Sequence, residues 1–240
     1  YQGTYIDTQF EEVERLIENI RSPHATTAMQ RRQLDLLGQV NAEHRASRSD
    51  PRLDARIESF ELAFRMQMAA SDAFDLSHEP QHIRELYGEG VHARQTLIAR
   101  RLLERGVRYV QLFDWGWDIH GTGKGDDIVT ALPKKCLEVD RPVAALVKDL
   151  KAHGLLDETL VVWGGEFGRT VYSQGALNGD GYGRDHHPRC FSMWLVGGGV
   201  KRGITLGETD EFGFNAVSDK VHVHDLHATI LHLLGFDHTK

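Results

Sequence analysis

Between Asp118 and Pro188 the chain gathers side chains that hold cations and bind anions. Trp117-Asp118-Ile119-His120 sets a carboxylate and an imidazole two positions apart, so in extended backbone both share one face and can converge on an ion. Thr159-Leu-Val-Val-Trp163 is a β-branched and aromatic run that stops at Gly164-Gly165, which predicts a buried strand delivering Glu166 at its carboxyl end. Arg169, three residues on, has the planar fork that fits phosphate or sulfate oxygens. Gly183-Arg184-Asp185-His186-His187-Pro188 is the most histidine-dense stretch. Successive side chains alternate in extended backbone, so one of His186 and His187 should bind while the other orients or packs, with Asp185 available to accept an imidazole N–H. These groups would hold a divalent cation beside an anionic substrate, the equipment of a metal-dependent hydrolase. The plainer readings are an Asp118 and His120 that only decorate a loop and a Glu166–Arg169 pair that satisfies itself.

Other candidates carry less. His224 stands at a turn into the last helix and can join a site, whereas Asp225 is expected to cap that helix, and His232 and His238 to be solvated. Gly121-Thr-Gly-Lys-Gly125 lacks the spacer and the Gly-Lys-Ser/Thr ending of a nucleotide loop. No activated nucleophile is evident, because Ser173 and Ser192 lack a Gly-x-Ser-x-Gly elbow and Cys136 lacks a Cys-x-Pro-x-Arg context. Cys136 and Cys190 are too few for a disulfide framework and read as small buried hydrophobes.

The elements that must position these groups fall in two stretches. Residues 1–105 read as helical. A first helix spans Glu11 to Ile20 with Thr8 as cap, a second runs from about Thr27 to His44 with Leu34, Leu37 and Val40 inward, and a third opens at Asp50-Pro51 with a Leu53, Ile57, Phe60, Phe64 stripe. Glu79–Tyr87 and Val91–Glu104 give two more, ended by Gly106. From 106 onward strands alternate with helices: Val107–Phe113, a helix from about Asp127 to Ala152 broken near Pro133 and Pro142, the strand at Thr159, another at Phe191–Val196, a short extended piece near Ile204, a strand at Lys220–Val223 and a helix from Asp225 to Leu234. Such alternation argues for a largely parallel sheet with helices on both faces. The 240 residues form one expected domain, with a formal charge of −7 that supplies no basic field for nucleic acid. No apolar run is long enough to span a bilayer.

Trp163-Gly-Gly-Glu-Phe-Gly-Arg-Thr170, Gly183-Arg-Asp-His-His-Pro188 and Val223-His-Asp-Leu-His-Ala-Thr-Ile-Leu-His-Leu-Leu-Gly235 resemble the family catalogued as domain of unknown function 1501. Trp117-Asp-Ile-His120 and Leu62-Ala-Phe-Arg-Met-Gln67 fit it too, so the likeness covers essentially the whole chain. The resemblance implies a sulfatase-like member of the alkaline phosphatase superfamily, with a three-layer α/β sandwich, a mostly parallel sheet, one or two metal ions, and export from the cytoplasm. It also implies that this chain is the carboxyl-terminal part of a longer protein whose preceding segment holds the nucleophile. Glu166 would stand where the superfamily has a metal aspartate and Gly168 would match its glycine, while Phe167 replaces a histidine or asparagine ligand.

On both grounds Asp118, His120, Glu166, His187 and His224 are the expected metal ligands, and Arg169 and His186 the expected catalytic groups. The expected cofactor is a divalent ion: zinc, calcium or manganese. The expected substrate is a small-molecule or polysaccharide ester of phosphate or sulfate. Two other readings stand beside this one: a non-catalytic metal-containing module that recognises an anionic polysaccharide or a partner protein, and a low-affinity histidine reservoir for metal.

Overall fold

The computed structural model describes residues 4–17, 20, 22–48, 51–175, 177 and 181–239. It divides into two compact units, Tyr1–Gln81 with Arg101–Val107, and His82–Arg100 with Arg108–Lys240.

The first unit is helical. α1 (Val13–Leu16) is one turn only, without a side-chain cap, so the expected helix to Ile20 is shorter than its apolar spacing suggests, and Thr8 does not cap it. Thr26 caps α2 (Thr27–Ala46) by accepting from Met29 N. α3 (Pro51–Phe74) opens at its proline as expected; the proposed cap Asp50 lies outside the described residues. α2 and α3 are tied mainly by charge: Arg31 forks onto Glu61 at 2.7 and 2.8 Å, and Arg45 meets Asp54 at 2.9 Å. Leu34 is half-buried, but Leu37, Val40 and Phe60 are exposed, so the apolar stripes are only partly covered. Buried Arg101 binds Glu79 and the carbonyls of Ala73 and Asp72.

In the second unit the apolar core lies between α5 (Val91–Glu104) and α6 (Ala131–Ala152). Ala93, Leu97, Ile98, Val139, Leu146 and Leu150 are buried there, together with Tyr87 at the end of α4 (Gln81–Tyr87). The spacing Val139, Leu146, Leu150 follows one face of a 3.6-residue helix. The expected breaks do not occur. Pro133 falls in the first turn, where its missing N–H has no intrahelical partner to lose, and Pro142 is carried inside a continuous helix. α6 starts four residues later than expected because the Asp127 carboxylate accepts from Gly125 N, Val129 N and Thr130 N and holds that stretch as a turn. Gly154 ends it at φ +70°, a conformation glycine adopts freely.

The strands overturn the expected mostly parallel three-layer sandwich. β1 (Leu160–Trp163) pairs antiparallel with β4 (Trp194–Gly197), β2 (Gly168–Arg169) with β3 (His186–His187), and β5 (Glu208–Thr209) with β6 (Ala216–Ser218), each as a separate two-stranded sheet. A parallel pair needs a crossover of a dozen or more residues, usually a helix; here the chain between β1 and β4 returns through loops and the short β2–β3 pair. The alternation at Val107–Phe113 and the run at Lys220–Val223 give no paired strand among the described residues. β1 is half-buried at Leu160 and Val161 and exposed at Val162 and Trp163, so it is not the buried strand its composition suggests. Cys136 is exposed and Cys190 half-buried, contrary to their expected burial.

α7 (Val223–Leu233) opens with a capping box in which His222 is the N-cap and Asp225, at the third position, accepts from His222 N at 2.8 Å. Asp225 therefore serves the helix start, but from inside the helix rather than from the cap. Leu226, Ile230 and Leu233 are half-buried and Leu234 is exposed, as are His232 and His238.

Candidate functional site

Three loops of the second unit meet at the site. The first, 114–120, is anchored to α6: Asp114 accepts from Lys135 Nζ at 2.9 Å and from Trp117 Nε1 at 2.7 Å. The second runs from β1 through Gly164 and Gly165 to β2. The third, 172–187, ends in β3. The β2–β3 register sets Arg169 opposite His186 and Gly168 opposite His187, so Arg169 and His186 share a face and His187 takes the other.

Asp118 is the hub. Its Oδ1 lies 2.6 Å from His120 Nε2, 3.1 Å from His186 Nε2 and 3.3 Å from Arg169 Nη1. One ligand atom from each of Asp118, His120 and His186 falls within 4.8 Å of the others. The remaining imidazole nitrogens face acceptors: His120 Nδ1 is hydrogen-bonded to Gln174 Oε1 at 2.6 Å, and His186 Nδ1 lies 2.7 Å from Glu166 Oε1 without the alignment of a hydrogen bond. Arg169 also reaches Glu166 Oε1 at 3.4 Å and Trp117 O at 3.3 Å. All three contacts of its guanidinium are long, so it borders the cluster without being locked to one carboxylate.

The charges follow the contacts. The hydrogen bond from His120, helped by Arg169, holds the Asp118 carboxyl below its ordinary range. Hydrogen bonding to Gln174 and then to Asp118 raises His120 above the usual imidazole value, because both ring nitrogens face acceptors.

Asp118, His120, Glu166, Arg169 and His186 thus come together. His187 and His224 do not join them. The His187 ring packs edge-on to Phe214, and its Nε2 sits 2.6 Å from the Phe214 carbonyl oxygen, where it can only donate. His224 donates its backbone N–H to His222 Nδ1 at 3.2 Å, at the start of α7. Glu166 meets the cluster through His186 rather than at the shared focus, a geometry that suits orienting a histidine. Asp185 Oδ1 accepts from His186 N at 2.8 Å and stays 3.8 Å from His120 Nδ1, so the groups facing the outer ring nitrogens are Gln174 at His120 and Glu166 at His186, not the expected Asp185. Nothing in the sequence near His120 points to Gln174, 54 positions away.

The hydroxyls nearest the site are spent on backbone: Thr170 Oγ1 donates to Tyr172 O at 2.9 Å, and Ser173 Oγ to Gln174 O and Gly175 O at 3.2 Å each. Trp117 packs edge-on with Trp163, which stacks on Trp194, although Trp163 itself stays 39% exposed.

The geometry defines a helix-rich α/β protein with an Asp-His-His cluster and an arginine at its border. Its family model matches residues 1–240, and the chain belongs to the family described as "Protein of unknown function (DUF1501)". No curated protein and no solved structure matches it. Among the described residues, no helix is long and apolar enough to cross a membrane.

Proposed function

We propose that this chain contributes the metal-holding part of a sulfatase-like hydrolase of phosphate or sulfate esters. The observation that carries the reading is the convergence of Asp118 Oδ1, His120 Nε2 and His186 Nε2, with Arg169 3.3 Å from that carboxylate. The donor set fits a divalent transition metal: two imidazole nitrogens and one carboxylate oxygen suit zinc or manganese better than calcium, which takes oxygen ligands. Asp118, His120 and His186 would hold the ion, with Gln174 and Glu166 behind the two rings. A bound ion of this kind polarises an ester oxygen and lowers the pKa of water.

The chain's own residues supply the rest. Arg169 is held by three long contacts and can turn its fork to the equatorial oxygens of a tetrahedral anion, neutralising charge that grows in the transition state. Export and the phosphate or sulfate chemistry rest on the family resemblance.

Metal analysis of the purified full-length protein and of its D118N and H186A variants, with hydrolysis of aryl phosphate and aryl sulfate, tests the proposal; the 240-residue chain alone is expected to bind metal with little or no turnover. About one ion per chain and turnover that both substitutions abolish are expected. Metal that remains after both substitutions overturns it. A second reading, a non-catalytic metal-containing module, is favoured by the engagement of Thr170 and Ser173 with backbone carbonyls and by Phe167 at a position where the resemblance calls for a ligand. Metal bound by the parent, lost in D118N, with no turnover on either ester would select it.

A further inference from the structure

We infer that Gln174 is a positioning residue for the cation site, fixing the ring of His120 so that Nε2 faces Asp118; the metal half of this inference rests on the function proposed above.

An amide oxygen can only accept, so Gln174 Oε1 at 2.6 Å requires the His120 proton on Nδ1 and leaves Nε2 directed to the shared focus. The residue is itself held. Gln174 and Gly183 exchange two backbone hydrogen bonds of 2.9 Å each, and Arg184 N donates to Ile119 O at 3.2 Å. Between these bonds the backbones of the two loops touch: a Cβ on Gly183 would collide with His120 C and Gly121 N, and one on Gly121 with Gly183 N. Ile119 is buried beneath the crossing. The amide is therefore carried on a support that also carries the histidine it orients, so its distance to the ring is set by backbone contact rather than by a free side chain. Asp185 is the other acceptor near Nδ1, and its Oδ1 is taken by His186 N.

The test compares the full chain with Q174L, Q174E and H120A. Zinc affinity is measured by competition with a chelator, and the His120 Nδ1 proton is followed by ¹⁵N-resolved NMR in metal-free protein. Expected are a hydrogen-bonded Nδ1 proton in the parent and in Q174E, its loss in Q174L, and a zinc affinity weakened about 10- to 100-fold in Q174L and restored in Q174E. Circular dichroism should show the parent fold in each. If Q174L unfolds, Q174M, of similar length and without the carbonyl, takes its place. Parent-like zinc affinity in Q174L overturns the inference, as does an unchanged Nδ1 proton. Should the parent bind zinc no better than H120A, the cation reading fails, and the proton signal alone decides what Gln174 does.

Discussion

Replacing Tyr87 by Phe should cost the protein a buried hydrogen bond without opening a cavity. Tyr87 is buried, and its hydroxyl donates to Asp149 Oδ2 at 3.0 Å. The same carboxylate faces Arg100 Nε at 2.9 Å and His153 Nδ1 at 3.1 Å, with the Arg100 and Asp149 side chains 3% and 1% exposed. Burial, and then the neighbouring carboxylate, push the phenol well above its ordinary pKa, so it stays a donor at any pH at which the protein folds. Phenylalanine opens no cavity, which leaves the lost hydrogen bond to a buried charged acceptor, about 1.5 to 3 kcal/mol. For a protein of this size that is a fall in Tm of roughly 3 to 12 °C. Urea unfolding should show the midpoint falling at unchanged m. Asp149→Ala, which breaks the ion pair joining α5 to α6, should cost more, about 3 to 5 kcal/mol. A Tyr87→Phe change within about 0.5 kcal/mol of the parent would refute the assignment of this network as a main tie between α4, α5 and α6.

The two adjacent histidines should separate cleanly: His186→Ala abolishes zinc binding in a chelator competition, whereas His187→Ala keeps it and lowers stability by about 1 to 2 kcal/mol through the lost bond to Phe214 O. Gly183→Ala should weaken zinc binding at least as much as Q174L and lower the urea midpoint, because the added methyl drives the two loop backbones apart. The metal-free Asp118–His120 pair should stabilise the fold over a bounded pH range. The raised His120 contributes fully below about pH 6.5 and is lost as pH rises through its folded value, while the depressed Asp118 contributes above about pH 4 and is lost as pH falls through its own. Urea midpoints measured from pH 3 to 9 should lose the Asp118 contribution on the acid side in D118N, while the His120 contribution is reduced and not abolished, because the bond to Gln174 remains.

What could be read in advance was local. Pro51 at a helix start and the Val91–Glu104 helix each depend on a few neighbouring residues, and the structure keeps both starts as the sequence sets them; the Thr26 cap was not read in advance. Pairing partners were not legible, because Leu160–Trp163 has the composition of a strand whether its neighbour runs parallel or antiparallel. The register with Trp194–Gly197 depends instead on Gly197 and Gly198 closing against Thr159 and Leu160. At the site, the two-residue spacing of Asp118 and His120 showed that they could meet. The choice between His186 and His187 needed the β2–β3 register, and Gln174 needed the loop crossing. Asp127 shows the same limit from another side: it looked like the start of a helix, and its carboxylate instead folds the turn that delays one.

Three of the protein's four tryptophans sit in the Trp117–Trp163–Trp194 group, with one parallel pair 6.1 Å apart and one perpendicular pair at 6.4 Å. Indoles so close couple their strongest electronic transitions, so the far-ultraviolet circular dichroism of this molecule should carry an exciton contribution from that group. Since Trp117 is tied to Asp114 and adjoins Asp118, the signature supplies an optical readout, free of any label, for events at the carboxylate.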